Sequence, residues 1–65
     1  MKILVNGVPR DASSTDLAAV LRELELGNSV VATALNGVFV PAGSRGSVQL
    51  SEGDQLEVVA PMQGG

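Results

Sequence analysis

Two Asn-Gly dipeptides, Asn6-Gly7 and Asn36-Gly37, set the tightest limit on what these 65 residues can become. Both positions of such a pair tolerate positive φ, which the tight turn between two antiparallel strands requires. The first pair separates an apolar stretch, residues 1–6, from residues 8–12. This predicts a β-hairpin over residues 1–12. Pro9 lacks an N–H and so belongs on an edge strand. The second pair ends a β-rich run, residues 30–35, and Val38-Phe39-Val40 follows until Pro41 closes it.

Between the two pairs lies one helical pattern. Leu17, Val20, Leu21 and Leu24 recur at i, i+3, i+4 and i+7, a single apolar stripe. Ser13, Ser14 and Thr15 precede it as potential N-caps, and Asp16 falls in the first turn, where a negative charge suits the helix dipole. Arg22 and Glu23 fit the wet side. Gly27 is expected to stop the helix, because glycine takes the left-handed cap conformation readily. A helix over about 15–25 is too short to stand alone in water, so its stripe must pack on a sheet. Beyond Pro41, residues 42–47 are small and polar and read as a loop. Val48-Gln49-Leu50 reads as a short strand, residues 51–54 as a turn, and residues 55–60 as a final strand. The order ββαβ(β)β, with one helix after the first hairpin, is α+β architecture. It supports a ubiquitin-like β-grasp: a mixed sheet of four to five strands with one helix packed across it.

Cysteine and histidine are both absent, so disulfides and thiolate or imidazole metal sites are excluded. A single domain this small must then rest on hydrophobic burial, for which 45% hydrophobic residues suffice. Phe39 is the sole aromatic residue, so the core is aliphatic. A lone aromatic is expected inside such a core, with partner docking as the alternative. Net charge is −3, with no basic cluster to neutralise phosphates, which argues against nucleic-acid binding. The opening apolar run is too short for a signal peptide or a membrane span. A cytoplasmic monomer is the expectation.

Candidate catalytic motifs are sparse. No histidine or cysteine can act as base or nucleophile. Gly43-Ser44-Arg45-Gly46 lacks the Gly-Lys-Ser/Thr of a phosphate-binding loop. Glu52 and Asp54 flank Gly53, a paired-carboxylate or metal site in form, but one turn supplies too few oxygens for calcium, so a solvated turn is expected.

The ending is more informative. Proline cannot donate to a sheet ladder, so pairing should stop near Pro61. Five residues then remain, Pro61-Met62-Gln63-Gly64-Gly65, with a reach of roughly 17 Å at about 3.3–3.6 Å per residue. The expected organisation is a domain over 1–60 and a flexible tail over 61–65. Two glycines give a thread without side chains at its tip, able to enter a narrow tunnel and offer a carboxylate. A frayed, idle terminus is the alternative. Strands apolar on both faces, Val30-Val31 and Val58-Val59, suggest an aliphatic docking patch beside the tail, with Phe39, Val59 and Arg45 as candidates.

Asn36-Gly37-Val38-Phe39-Val40-Pro41, Glu52-Gly53-Asp54 and residues 58–65 together resemble the bacterial thiamine-pathway sulfur carriers, the ThiS family. The opening strand with Asn6-Gly7 and the run Ala32-Thr33-Ala34-Leu35 are similar too, and the Pro-Met-Gln-Gly-Gly ending is the most specific part. Family members tend to carry a basic and an aromatic residue soon after the Val-Pro. Here residues 42–47 offer only Arg45. The resemblance implies a co-substrate rather than an enzyme. It implies no bound cofactor, with ATP and Mg²⁺ used by an E1-like (ThiF-like) adenylating partner acting on Gly65. It also implies threading of Gly64, Gln63 and Met62, a separate sulfur donor, and delivery to a ThiG-like thiazole synthase. Delivery to molybdopterin or another acceptor, and a ubiquitin-like modifier, remain alternatives. Lys2 is the sole lysine, which argues against lysine-linked chains.

Overall fold

In a computed structural model, which describes residues 1–27 and 30–60, five strands form one mixed sheet with a helix packed on one face. β1 (Lys2–Val5) and β2 (Val8–Asp11) form the expected hairpin, followed by α1 (Leu17–Glu23), β3 (Ala32–Leu35), β4 (Val38–Val40) and β5 (Gln55–Val59). The strand order is β2-β1-β5-β3-β4, so the last strand in sequence occupies the centre. β5 runs parallel to β1 and antiparallel to β3. The helix follows the first hairpin, as the β-grasp arrangement requires.

Both Asn-Gly pairs turn the chain as their chemistry dictates. Asn6 and Gly7 have φ of 51° and 82°, and Asn36 and Gly37 have 50° and 84°. Each turn fixes its register, Val5 opposite Val8 and Leu35 opposite Val38. β2 is an edge strand, and Pro9 therefore leaves no ladder bond unmade.

The core is aliphatic: Ile3, Val5, Leu17, Val20, Leu21, Val40 and Leu56 are buried together with Ala12 and Leu50. Helix stripe and sheet face meet there, as the spacing of Leu17, Val20 and Leu21 predicts. Phe39 does not join them. It is 65% exposed, against the expectation for a sole aromatic. The register explains this. Val40, two residues away from Val38 and next to Phe39, is buried on the helix side, so strand alternation turns Phe39 to the opposite face.

Three further expectations are corrected. The helix is shorter than 15–25, and its N-cap is Asp16, whose carboxylate accepts the Ala19 N–H at 2.9 Å. Its end is made by Glu25 at φ 65°, two residues before Gly27. Residues 42–47 are not an irregular loop but a 3₁₀ segment, Ala42–Ser47. Val48-Gln49-Leu50 makes no strand, only a single bridge in which Gln49 faces Asp16.

Candidate functional site

The chain leaves the sheet from its middle strand, so the geometry at the end of β5 decides where anything attached to it begins. On the β3 side, Val59 pairs with Ala32. On the β1 side the backbone ladder runs out, because β1 turns back at Asn6-Gly7. Its last bond is from the Asn6 N–H to the Leu56 carbonyl, 2.9 Å. The Asn6 side chain then replaces the missing strand. Its Nδ2 donates to the Val58 carbonyl at 3.0 Å, and its Oδ1 accepts the Val58 N–H at 2.9 Å.

The second Asn-Gly turn clips the other end of the same strand. Asn36 Oδ1 accepts the Gln55 N–H at 2.9 Å, and Asn36 Nδ2 donates to Asp54 Oδ1 at 3.1 Å. Sequence reasoning valued these asparagines for positive φ and missed their amides. The available signal was asparagine, with both a donor and an acceptor, at the head of each turn rather than aspartate or glycine.

The sheet face opposite the helix carries an apolar patch at this same end. Ala34 lies between Phe39 of β4 and Glu57 of β5, and Ala32 lies opposite Val59. Phe39, Ala32, Ala34 and Val59 line a shallow depression of ≈ 150 Å³ with Glu57 at its side. Val30, 80% exposed, and Val59, 61% exposed, extend the patch along the strand ends. On the helix side of the sheet, Ala60 borders a second open groove with Leu24, Leu26, Val8 and Val58, and Arg10 is its cation.

Of the residues singled out from sequence, Phe39 and Val59 therefore share one exposed face. Arg45 does not present a free cation there. Its Nε donates to Thr33 Oγ1 at 3.0 Å and a terminal nitrogen donates to the Val31 carbonyl at 2.7 Å. It braces the 3₁₀ segment against β3. Glu52 and Asp54 are both engaged structurally: Glu52 accepts the Lys2 N–H of β1 at 2.9 Å, and Asp54 accepts the Ser51 N–H of its own turn at 2.8 Å. Met62, Gln63, Gly64 and Gly65, with Pro61, lie outside the described residues. Among the described residues, no helix is long and apolar enough to cross a membrane.

Known proteins similar to this chain share both its fold and its sequence. The crystal structure of the thiamine biosynthesis protein ThiS from Geobacter metallireducens superposes with a TM-score of 0.84 at 25% identity, covering all of both chains. The solution structure of a thiamine biosynthesis protein from the same organism gives 0.78, over all of this chain and 88% of that one. Thiazole synthases of Paramagnetospirillum magneticum and Magnetococcus marinus are 39% and 41% identical over 66 residues, spanning this whole chain. The chain spans about a fifth of the length of these curated relatives, 20% in each. Residues 3–65 match the ThiS family, so the agreement runs from the first strand through the Gly-Gly ending, and the chain belongs to that family.

Proposed function

We propose that this protein is a sulfur carrier whose Gly65 carboxylate is converted to a thiocarboxylate and supplies sulfur for thiazole formation in thiamine biosynthesis. The observation that carries this reading is the ThiS family match through residue 65, which takes in Pro61-Met62-Gln63-Gly64-Gly65. The two thiazole synthases that contain a stretch similar to this whole chain favour thiazole synthase as the acceptor enzyme over a molybdopterin route.

A carboxylate resists nucleophiles because it is charged and has no good leaving group. An E1-like partner would join a Gly65 oxygen to the α-phosphorus of ATP, releasing pyrophosphate. Sulfide-level sulfur from a donor then attacks the carbonyl as HS⁻, AMP departs, a proton is lost, and the thiocarboxylate remains. Its sulfur is the better nucleophile toward the thiazole precursor. Glycine at 65 keeps the attacked carbon uncrowded, and Gly64 admits backbone angles that other residues exclude. ATP and Mg²⁺ belong to the partner, and the chain itself contributes a co-substrate group rather than catalysis. In this reading residues 1–60 are the body and 61–65 the thread. The exposed face of Phe39 and Val59, at the end of β5, supports a docking role for the partner.

The test is to incubate the chain with its adenylating enzyme, ATP and a sulfur donor, then record the intact mass. Exchange of one oxygen for sulfur is expected, and Gly65→Ala should abolish it while the melting temperature stays that of the unaltered chain. An unchanged mass, or covalent adducts on lysines of other proteins, would sink the carrier reading.

A further inference from the structure

We propose that Asn6 is a positioning residue for the carrier reaction, its amide ordering the end of β5 from which residues 61–65 depart. The proposal rests on the carrier reading above. In a strand, alternate residues direct their N–H and C=O to the same neighbour. Asp54 and Leu56 point theirs at β1, accepting from the Leu4 and Asn6 N–H groups at 2.9 Å each. Gln55 points its own toward β3, where the Asn36 N–H donates to its carbonyl at 2.7 Å. Val58 is next in the series that faces β1, but β1 has already turned away. Without Asn6 both polar groups of Val58 would face no backbone partner on that side. The Asn6 amide satisfies both of them, extending a parallel ladder by one residue with a side chain.

Past Val58, the remaining described anchor is the Val59 pairing with Ala32. The strand end is thus held from both sides just before Pro61. A partner that draws in residues 61–65 meets a strand end already ordered, and need not order it on binding. The Asn36 side chain clips the opposite end of β5, far along the strand from the departure point, with one bond to the Gln55 backbone and one to the Asp54 side chain. It supplies a matched control.

Asn6→Gly and Asn36→Gly each keep positive φ in the turn and remove the clip, with the same added unfolded-chain entropy in both. The full chain and both variants are compared as substrates of the adenylating enzyme by ATP–pyrophosphate exchange, alongside thermal melts. Expected is a rise in KM for Asn6→Gly of about fivefold or more, the loss of two hydrogen bonds, with kcat at saturation within about twofold. Asn36→Gly should lower the melting temperature comparably and leave KM unchanged. Amide hydrogen exchange at Val58 and Val59 should accelerate in Asn6→Gly and not in Asn36→Gly. If Asn6→Gly does not fold, Asn6→Asp keeps the turn and the acceptor but sets a carboxylate oxygen against the Val58 carbonyl. It too should raise KM. Equal KM in all chains, or equal increases in both clip variants, would overturn the proposal while leaving the carrier reading intact. Absence of exchange with the unaltered chain would overturn both.

Discussion

Glu23 shows how a solvent-exposed carboxylate can still be held in one place. It accepts hydrogen bonds from the Ser13 N–H at 2.9 Å, the Ser13 hydroxyl at 2.7 Å and the Ser14 N–H at 3.1 Å. The Ser13 N–H and hydroxyl, then the Ser14 N–H, lower its pKa from 4.5 to about 2 by stabilising the charged form. A carboxylate with a depressed folded-state pKa stabilises the fold above its unfolded value. That contribution fades as pH falls from about 4.5 through about 2. Glu23→Gln should therefore melt below the unaltered chain at neutral pH. The gap should close across that acid window in a pH series of thermal melts. A gap independent of pH would mean that the carboxylate's charge has no part in holding the loop. Thr33 is the buried polar counterpart. Its hydroxyl donates to the Val40 carbonyl at 2.9 Å and accepts from Arg45, so the one buried hydroxyl among the described residues is satisfied twice.

The helix is a two-turn element whose ends do much of its specification. Asp16 closes the front. At the back, the Leu26 N–H reaches the Leu21 carbonyl at 2.7 Å and the Glu25 N–H the Arg22 carbonyl at 3.0 Å. This pair of bonds is the Schellman pattern, in which the residue at positive φ is usually glycine. Glu25 fills that place at φ 65°, a conformation that crowds its Cβ. Glu25→Gly should therefore stabilise the protein by about 0.5–1 kcal/mol, the strain relieved outweighing the entropy gained by the unfolded chain. A higher urea midpoint at unchanged slope would show it. A lower midpoint would instead assign Glu25 a contact of its own. The sequence pointed to Gly27 because a glycine there is the usual signal, and the helix stopped sooner because the cap bonds closed around Leu24. Elements with strong local chemistry were legible in this way to within a few residues: both Asn-Gly turns, the apolar stripe, and the Gly53 turn. The 3₁₀ segment Ala42–Ser47 was not, since six small or polar residues carry no periodicity. Nor were the Asn6 and Arg45 contacts, which join positions 52 and 14 residues apart in sequence. Of the candidate site, the Gly-Gly ending was read from sequence alone. The partners of its last strand needed the fold.

At the scale of the whole molecule, one helix covers one face of a five-stranded sheet, and among the described residues no second helix packs on the other. Phe39 and Val59 lie on that second face, 65% and 61% exposed. Neither belongs to the core cluster, which is complete without them. Stability and docking should then separate cleanly. The double change Phe39→Ala with Val59→Ala should cost no more than about 0.5 kcal/mol per site, as for exposed positions away from caps and core. The same double change should raise KM for the adenylating partner by about tenfold or more if this face is the contact, because truncating an aromatic anchor at the centre of an interface commonly costs above 1 kcal/mol. Thermal melts and pyrophosphate exchange on one preparation measure both. A collapse of the fold would make Phe39 structural despite its exposure. Unchanged KM would move the docking surface elsewhere, with the groove beside Ala60, where Arg10 sits among Val8, Leu24 and Leu26, the next face to test.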